Sequence, residues 1–335
     1  MVDATHISFA ASDRSYFSLL KKEIHRRAEE AGMGIDKLNA LDLVIAEMTS
    51  NLFKYGDGGE ILMGLIENNG NPYVEVISID HGPGMLNPEK MLIDGVSTTN
   101  TLGHGLGSIQ RLSDTFDLYS QPEWGTIVLS RIYHNAKVNE KKIVEVHPLV
   151  VAKPGEKTSG DGFLCIQTDK YLKMMLADGL GHGPEANHAV NEAATAFRTC
   201  RDYSPVETMR YIHPAIKKTR GAVINITCFD YRTKIWSSAG IGNIAARIMG
   251  PVVLKNHMSY NGIVGHNIPG SMNDQQYAGA EYNRVILSSD GIKTRWDLNK
   301  YPRIHKHDQT ILAAAIYKDQ ARKTDDMSII IAKIK

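Results

Sequence analysis

The chain has 335 residues, with 38 lysines and arginines against 37 aspartates and glutamates, a formal net charge of +1. That balance supplies no field to draw it to nucleic acid or to an anionic membrane, and neither is expected as a partner. At 42% hydrophobic and 22% charged residues it has the composition of an ordinary folded protein, long enough for two domains.

The opening MVDATHISFAASD lacks a basic stretch followed by an apolar run, so it does not read as a signal peptide. No stretch approaches the roughly 20 apolar residues that span a bilayer. The cysteines Cys165, Cys200 and Cys228 are odd in number, far apart and set among apolar residues, which predicts buried reduced thiols. A cytoplasmic protein is expected.

In chain order, residues 12–32 carry Phe17, Leu20, Ile24 and Ala28 at helical spacing. A second helix is expected from Asp36 as N-cap, with Leu41, Val44, Met48 and Leu52 along one face. After GDGG, the run EILMGLIENNGNPYVEVISID reads as a hairpin with its loop at 68–72. A Gly-rich polar segment follows DHGPGM, then a helix over 106–112 and two strands, DTFDLYS and GTIVLSRIY. One helical layer on a mostly antiparallel sheet, an α/β sandwich, is the expected result.

The polar run HNAKVNEKK at 134–142 marks the boundary, giving domains at 1–135 and 136–335. VEVHPLVVAKPGE opens the second domain as a strand. FLCIQTD, YLKMMLAD, AVINITCFD, KIWSSAG, AARIMG, RVILSSD and MSIIIAKI read as further strands, with helices at 184–200 and 204–218. This pattern predicts two sheets flanked by helices, so the chain as a whole is of the α+β class.

Three local signals in the first domain point to a nucleotide. Glu47 and Asn51, at i and i+4, share a helix face. An amide oxygen there can hold Mg²⁺, and a carboxylate can orient or deprotonate an attacking hydroxyl. Asp80, with Gly82 and Gly84, follows an apolar strand; a carboxylate so placed can accept a hydrogen bond from an exocyclic adenine amine, and glycine lets backbone come close. Gly103, Gly105 and Gly107 lead into a helix whose free N–H groups suit phosphate oxygens. Each signal alone is an ordinary helix face or turn; their order together is specific.

AEMTSNLFKYGDGGEI, DHGPGM, DGVSTTNTLGHGLGSIQRLSD and GTIVL resemble the GHKL (Bergerat) ATP-binding fold, and most of all the RsbT-type switch kinases of bacterial partner-switching systems, over about residues 10–133. The resemblance implies adenine at Asp80, Mg²⁺ at Asn51, phosphates along Gly103, Gly105, Leu106 and Gly107, a polar contact at Thr126, and Glu47 as catalytic carboxylate. A histidine kinase would need a dimerising hairpin upstream with a phospho-acceptor; the short stretch before Glu47 has no room for one, and His25 reads as a surface histidine.

In the second domain, Asp161, Asp178, Asp290 and the pair Asp325/Asp326 each sit at a turn beside an apolar run. Carboxylates at strand ends can converge across a sheet edge, and an all-oxygen donor set suits Mg²⁺ or Mn²⁺. Two such ions can activate a water for attack on a phosphate ester. The Gly179 carbonyl could join the shell. SGDGF, LADGLGHGPEA, SAGIGN, SSDGI and DDMSIII resemble the SpoIIE/RsbX branch of the PPM phosphatases, an αββα sandwich, over about residues 143–335. That resemblance implies metal ligation by Asp161, Asp178, Gly179, Asp290 and one of Asp325 and Asp326, with Asp325 favoured, and catalysis through Asp161, Asp178 and Asp290. His182, beside the Asp178 turn, is either a proton donor to the leaving group or a local structural residue.

Together the resemblances imply a partner-switching regulator: a metal-dependent phosphoserine/phosphothreonine phosphatase fused to an ATP-dependent serine/threonine kinase. Its partners would be STAS-type anti-sigma-factor antagonists or related phosphoproteins, with a sigma factor or other switch protein as a further candidate. In the alternative, the N-terminal domain senses ATP or sequesters a partner without phosphoryl transfer and gates the phosphatase.

Overall fold

The computed structural model describes residues 5–11, 16–67, 71–92, 105–136 and 142–335. The chain divides into two units, one of residues 6–139 with 298–318, the other of 1–5, 140–297 and 319–335. Residues 298–318, which the sequence reading places in the second domain, therefore group with the first. Of the expected boundary, residues 137–141 lie outside the described ones.

The first unit holds strands β1 (Thr5–Ala10), β2 (Gly59–Ile66), β3 (Tyr73–Asp80), β4 (Thr115–Gln121) and β5 (Gly125–Tyr133), and helices α1 (Phe17–Glu30), α2 (Ile35–Tyr55) and α3 (Gly105–Leu112). The strands lie in the order β1-β2-β3-β5-β4, with each neighbouring pair antiparallel. Leu20, Ile24 and Ala28 of α1 and Leu41, Val44, Met48 and Leu52 of α2 are buried, packed over Ile61, Met63, Val74, Val76 and Val128 of the sheet. The helical stripes thus face where their spacing says. Asp36 does not cap α2: Gly34 holds the N-cap position, and Asp36 lies in the first turn, where its charge suits the helix dipole. Strand β1, unread in the sequence, pairs with β2.

Alternate residues of the same strands face away from those helices, and the segment 298–318 covers them. It carries most of helix α6 (Gln309–Gln320), which the sequence reading omitted. Arg131, buried on β5, donates through Nε to Glu75 on β3 at 2.6 Å. Its two terminal nitrogens donate to Asp308 at 2.7 and 3.0 Å, a bidentate pair, and Nη2 also donates to Thr310 at 2.6 Å. His6 lies 3.0 Å from the other Glu75 oxygen. Burial pushes the Glu75 carboxyl up, but the Arg131 charge and the His6 bond outweigh it and leave it below the usual range. Beside this network, His307 and the Asp308 backbone N–H bond the Asp117 carboxylate at 2.8 and 2.6 Å.

The second unit is built on two sheets. One runs β12 (Leu254–Asn256), β11 (Ala245–Met249), β14 (Arg284–Ser288), β15 (Met327–Ile334), β6 (Val144–Val151). The other runs β13 (Gln275–Ala278), β10 (Ile235–Ile241), β9 (Ala222–Asp230), β8 (Tyr171–Gly179), β7 (Asp161–Gln167). Phe163, Met174, Phe229 and Trp236 from one sheet meet Val150, Val285, Leu287 and Ile330 from the other in a single core. Helices α4 (Pro184–Thr199) and α5 (Pro205–Ala215) cover the outer face of the second sheet through Val190, Phe197, Met209 and Ile212. Ser204 caps α5, accepting the N–H of Glu207 at 3.2 Å.

All three cysteines are free, and burial pushes the Cys165 thiol up to about 12 and the Cys228 thiol up as well, which disfavours the thiolate at these two. Among the described residues no helix is long and apolar enough to cross a membrane.

Removing Asp308 would leave the buried Arg131 guanidinium with part of its charge unpaired. Asp308→Ala is expected to cost about 3–5 kcal/mol, read as a lowered urea midpoint of the first unit. A loss below about 1 kcal/mol, the scale of an exposed pair, would contradict the role given to this network.

Candidate active sites

The first site forms where β3 ends. Asp80 Oδ1 accepts the backbone N–H of Gly82 and that of Thr126, each at 2.9 Å, so one carboxylate ties the β3 turn to the start of β5. Burial pushes the Asp80 carboxyl up to about 6, against these two N–H groups and the charge of Lys318, which pull it down. Backbone crowds the two glycines that follow. A Cβ at Gly82 would stand 2.0 Å from the Tyr55 carbonyl oxygen, and one at Gly84, where φ is +68°, 1.7 Å from that of Gln121.

Glu47 and Asn51 lie one turn apart on α2, both half-buried. Gly105, the first residue of α3, abuts them: a Cβ there would be 2.8 Å from Glu47 Oε2 and 3.6 Å from Asn51 Oδ1. The N-terminus of α3 is thus set beside a carboxylate and an amide, with room that only glycine leaves. Leu106 packs against the core, Gly107 is buried, and the Thr126 hydroxyl lies 3.0 Å from that of Ser120. Gly103 lies outside the described residues. His25 is 3.1 Å from Asp42, a pairing between α1 and α2 away from these groups. An acceptor at one end and helix N–H groups with Asn51 at the other suit the adenine and phosphate ends of ATP and its Mg²⁺.

The second site forms where β7 begins and β8 ends. Asp161 and Asp178 are direct partners across this antiparallel pair, so their side chains emerge side by side. Asp161 is buried and accepts the Ser328 hydroxyl at 2.7 Å. Burial, then the charges of Asp326 and Asp290, push Asp161 up to about 7, against the Ser328 and Ser289 hydroxyls. Asp178 is pushed further, to about 9, by burial and by Asp161, Asp290, Asp325 and Asp326. The acidic residues predicted from four distant motifs are therefore within electrostatic reach of one another.

They differ in what else they do. Both oxygens of Asp326 accept backbone N–H groups, from Lys153 and Gly160, each at 2.8 Å, which makes it a strut between loops. Asp325 is half-exposed and accepts the N–H of Asp326 at 2.9 Å. Asp290 accepts from Asn243 at 2.9 Å, and Gly291 after it leaves no space for a side chain, since a Cβ would lie 1.9 Å from the Asp326 carbonyl oxygen. Gly179 closes β8, its N–H donating to the Gly160 carbonyl at 3.0 Å. His182 is exposed and pairs with Glu156 at 2.9 Å.

Among the described residues no three His, Cys, Asp or Glu side chains stand as a ready-made metal-binding group. The carboxylates act on one another through charge, a longer reach than ligation. The leading influences on Asp178 include four carboxylates and no cation. A like-charged, all-oxygen set of this kind fits divalent Mg²⁺ or Mn²⁺, which would lower the energy of every ionised member at once.

The sequence reading did not single out Ser328, Ser289, Asn243 or Lys318. Ser289, Asn243 and Ser328 stand inside or beside quoted motifs, in SSDGI, SAGIGN and DDMSIII, and could have been noticed as hydroxyl and amide supports of the acids. Lys318 gave no signal, being far in sequence from the residues it serves.

Residues 10–131 match the family of histidine kinase-like ATPase domains. Over 99 residues the chain is 33% identical to the serine/threonine-protein kinase RsbT of Bacillus subtilis strain 168, which covers 30% of this chain and 74% of that kinase. A solved chain of the bacterial stressosome, a modular system adapted to control secondary messenger signaling, is 26% identical and superposes with a TM-score of 0.53 over 57% of this chain and all of its own length. RsbX, solved in complex with magnesium, is 18% identical and gives a TM-score of 0.51 over 59% of this chain and 99% of its own.

A histidine kinase-like ATPase domain thus shares one polypeptide with a two-sheet sandwich whose fold is like that of RsbX. The chain belongs to the RsbT family of serine/threonine kinases.

The carboxylate cluster has a measurable consequence. Asp161 at about 7 and Asp178 at about 9 lie above the ordinary 3.8, so the folded chain binds more protons than the unfolded chain across that window. In chelator, stability should decline as pH rises from about 5 to about 9, and millimolar Mg²⁺ or Mn²⁺ should flatten the decline. Thermal melts over this range check it; a chelated protein whose melting temperature is flat with pH contradicts the cluster.

Proposed function

We propose that the chain is a cytoplasmic two-activity regulator, phosphorylating serine or threonine of a partner protein at one site and removing phosphate from such residues at the other. Its preferred substrates are the STAS-type antagonist proteins that the resemblance implies. The observation that carries the reading is the cross-strand pair Asp161–Asp178 within electrostatic reach of Asp290 and Asp325, on a chain whose other unit sets Gly105 against Glu47 and Asn51.

In the phosphatase arm, Asp161, Asp178, the Gly179 carbonyl, Asp290 and Asp325 would hold two Mg²⁺ or Mn²⁺ ions, which supply an activated water and charge for the phosphoryl oxygens. Ser328 and Ser289 orient Asp161, Asn243 orients Asp290, and Asp326 fixes the loops that carry its neighbours. In the kinase arm, Asp80 accepts from the adenine amine, with Gly82, Gly84 and Thr126 shaping the base pocket. Asn51 would hold Mg²⁺, the N–H groups from Gly105 to Gly107 would meet phosphate oxygens, and Glu47 would take the proton of the partner hydroxyl.

Two variants separate the arms. Glu47→Ala should lose phosphoryl transfer from labelled ATP to a STAS partner by about 10²–10⁴-fold, the worth of a general base, while keeping phosphatase activity. Asp290→Asn should lose Mn²⁺-dependent hydrolysis of the phosphorylated partner and of an aryl phosphate while keeping transfer. A wild-type chain that hydrolyses neither substrate with Mn²⁺ would overturn the phosphatase assignment. ATP binding without any labelled partner would overturn the kinase arm and leave an ATP-sensing domain.

A further inference from the structure

Resting on the reading of the Asp80 pocket as an adenine site, the structure adds a residue to it from the far end of the chain. Helix α6 is pinned to the first-unit sheet at both ends. At its start stands the Arg131–Asp308 pair; near its end, Tyr317 donates to Glu60 at 3.1 Å and Lys318 reaches the pocket. Lys318 Nζ donates to the Trp124 carbonyl at 2.7 Å and to His81 Nδ1 at 3.0 Å, and lies 4.3 Å from the centre of the Trp124 ring.

These contacts join the two stretches that frame Asp80. His81 directly follows it, and Trp124 stands two residues before Thr126, whose N–H Asp80 accepts. The titratable groups on the elements here include Tyr55 at the end of α2, Asp57 and Glu60 on the β2 side, His81, Glu123 in the β4–β5 turn, Tyr317 and Lys318 on α6, and Tyr119 and Tyr301, whose rings meet Trp124. Of the charged groups, Lys318 acts on Asp80 most strongly.

We propose that Lys318 is a positioning residue of the nucleotide pocket: it clamps the His81 and Trp124 stretches together and supplies the positive charge that favours Asp80 as an acceptor for the adenine amine. The pocket is then a composite, with its framework in residues 47–126 and its cation from residue 318. Glu47 and Asn51 need play no part in this.

The test uses the full-length protein and measures ATP affinity with Mg²⁺ from pH 5 to 8. A protonated Asp80 is a weaker acceptor for the amine than the carboxylate, so wild-type affinity should fall as pH drops through about 6. Removing the Lys318 charge raises the Asp80 pKa further. Lys318→Met should therefore shift this fall to higher pH and weaken binding at pH 7 by about tenfold, a typical loss for one hydrogen bond to a charged group, and Lys318→Arg should restore most of both. A purely packing role would not move the pH midpoint. Should Lys318→Met fail to fold, acetic anhydride labelling of the wild type substitutes: ATP is expected to lower acetylation of Lys318, and labelling that ATP does not change overturns the proposal. So does a Lys318→Met protein with the wild-type affinity and pH midpoint. If the wild type binds no ATP at all, the reading of the pocket falls with it, whereas ATP binding indifferent to Lys318 removes the inference alone.

Discussion

Carboxylates gathered at the end of a buried strand pair repel one another, and that repulsion governs the second unit. Asp161 and Asp178 have no freedom to separate, because they are register partners in a ladder that continues to Gln167 and Leu172. Asp290 and Asp325 arrive on loops that Gly291 and Asp326 hold against this edge. A rigid frame therefore keeps like charges together at a cost that protonation or a divalent cation relieves. A fold shaped only for stability would not gather them, and in this the sandwich reads as a support for its rim.

The first unit solves a different problem. An antiparallel sheet with helices on one face leaves its other face in need of cover. Here that face carries Glu75 and Arg131, whose buried charges are completed by Asp308 and Thr310 from residues 298–318. Breaking such a pair costs more than forming it returns, so it specifies how the segment docks. The same segment ends at Lys318 beside Asp80, and four residues later Arg322 donates to the Asp290 carbonyl at 2.8 Å.

Most elements were legible because their patterns are local. The stripes Leu20–Ile24–Ala28 and Leu41–Val44–Met48–Leu52, the paired strands Gly59–Ile66 and Tyr73–Asp80 and the strand runs of the second half appear where their periodicity puts them, while residues 68–70 of the expected hairpin loop lie outside the described residues. Helix α6 was not legible: from Ile311 to Tyr317 it is buried on every side, so no polar face gives it a 3.6-residue rhythm. Its membership of the first unit rests on Arg131 and Asp308, charges 177 residues apart in sequence. Asp36 misled because it is a good capping residue two positions past Gly34, which holds the N-cap of the helix. At the sites, the acidic residues could be named from their turns, but the pairing of Asp161 with Asp178 follows from strand register, and Asp326 differs from Asp325 in that both its oxygens accept backbone N–H groups of remote loops. Neither is written in the local sequence.

The central claim is that these remote carboxylates share divalent cations. Anomalous diffraction from crystals of the full chain grown with Mn²⁺ tests it most directly. Manganese peaks are expected about 2.0–2.2 Å, the spacing of a hard cation from oxygen, from carboxylate oxygens of Asp161, Asp178 and Asp290. Manganese at saturating concentration with no peak among these three residues would contradict it.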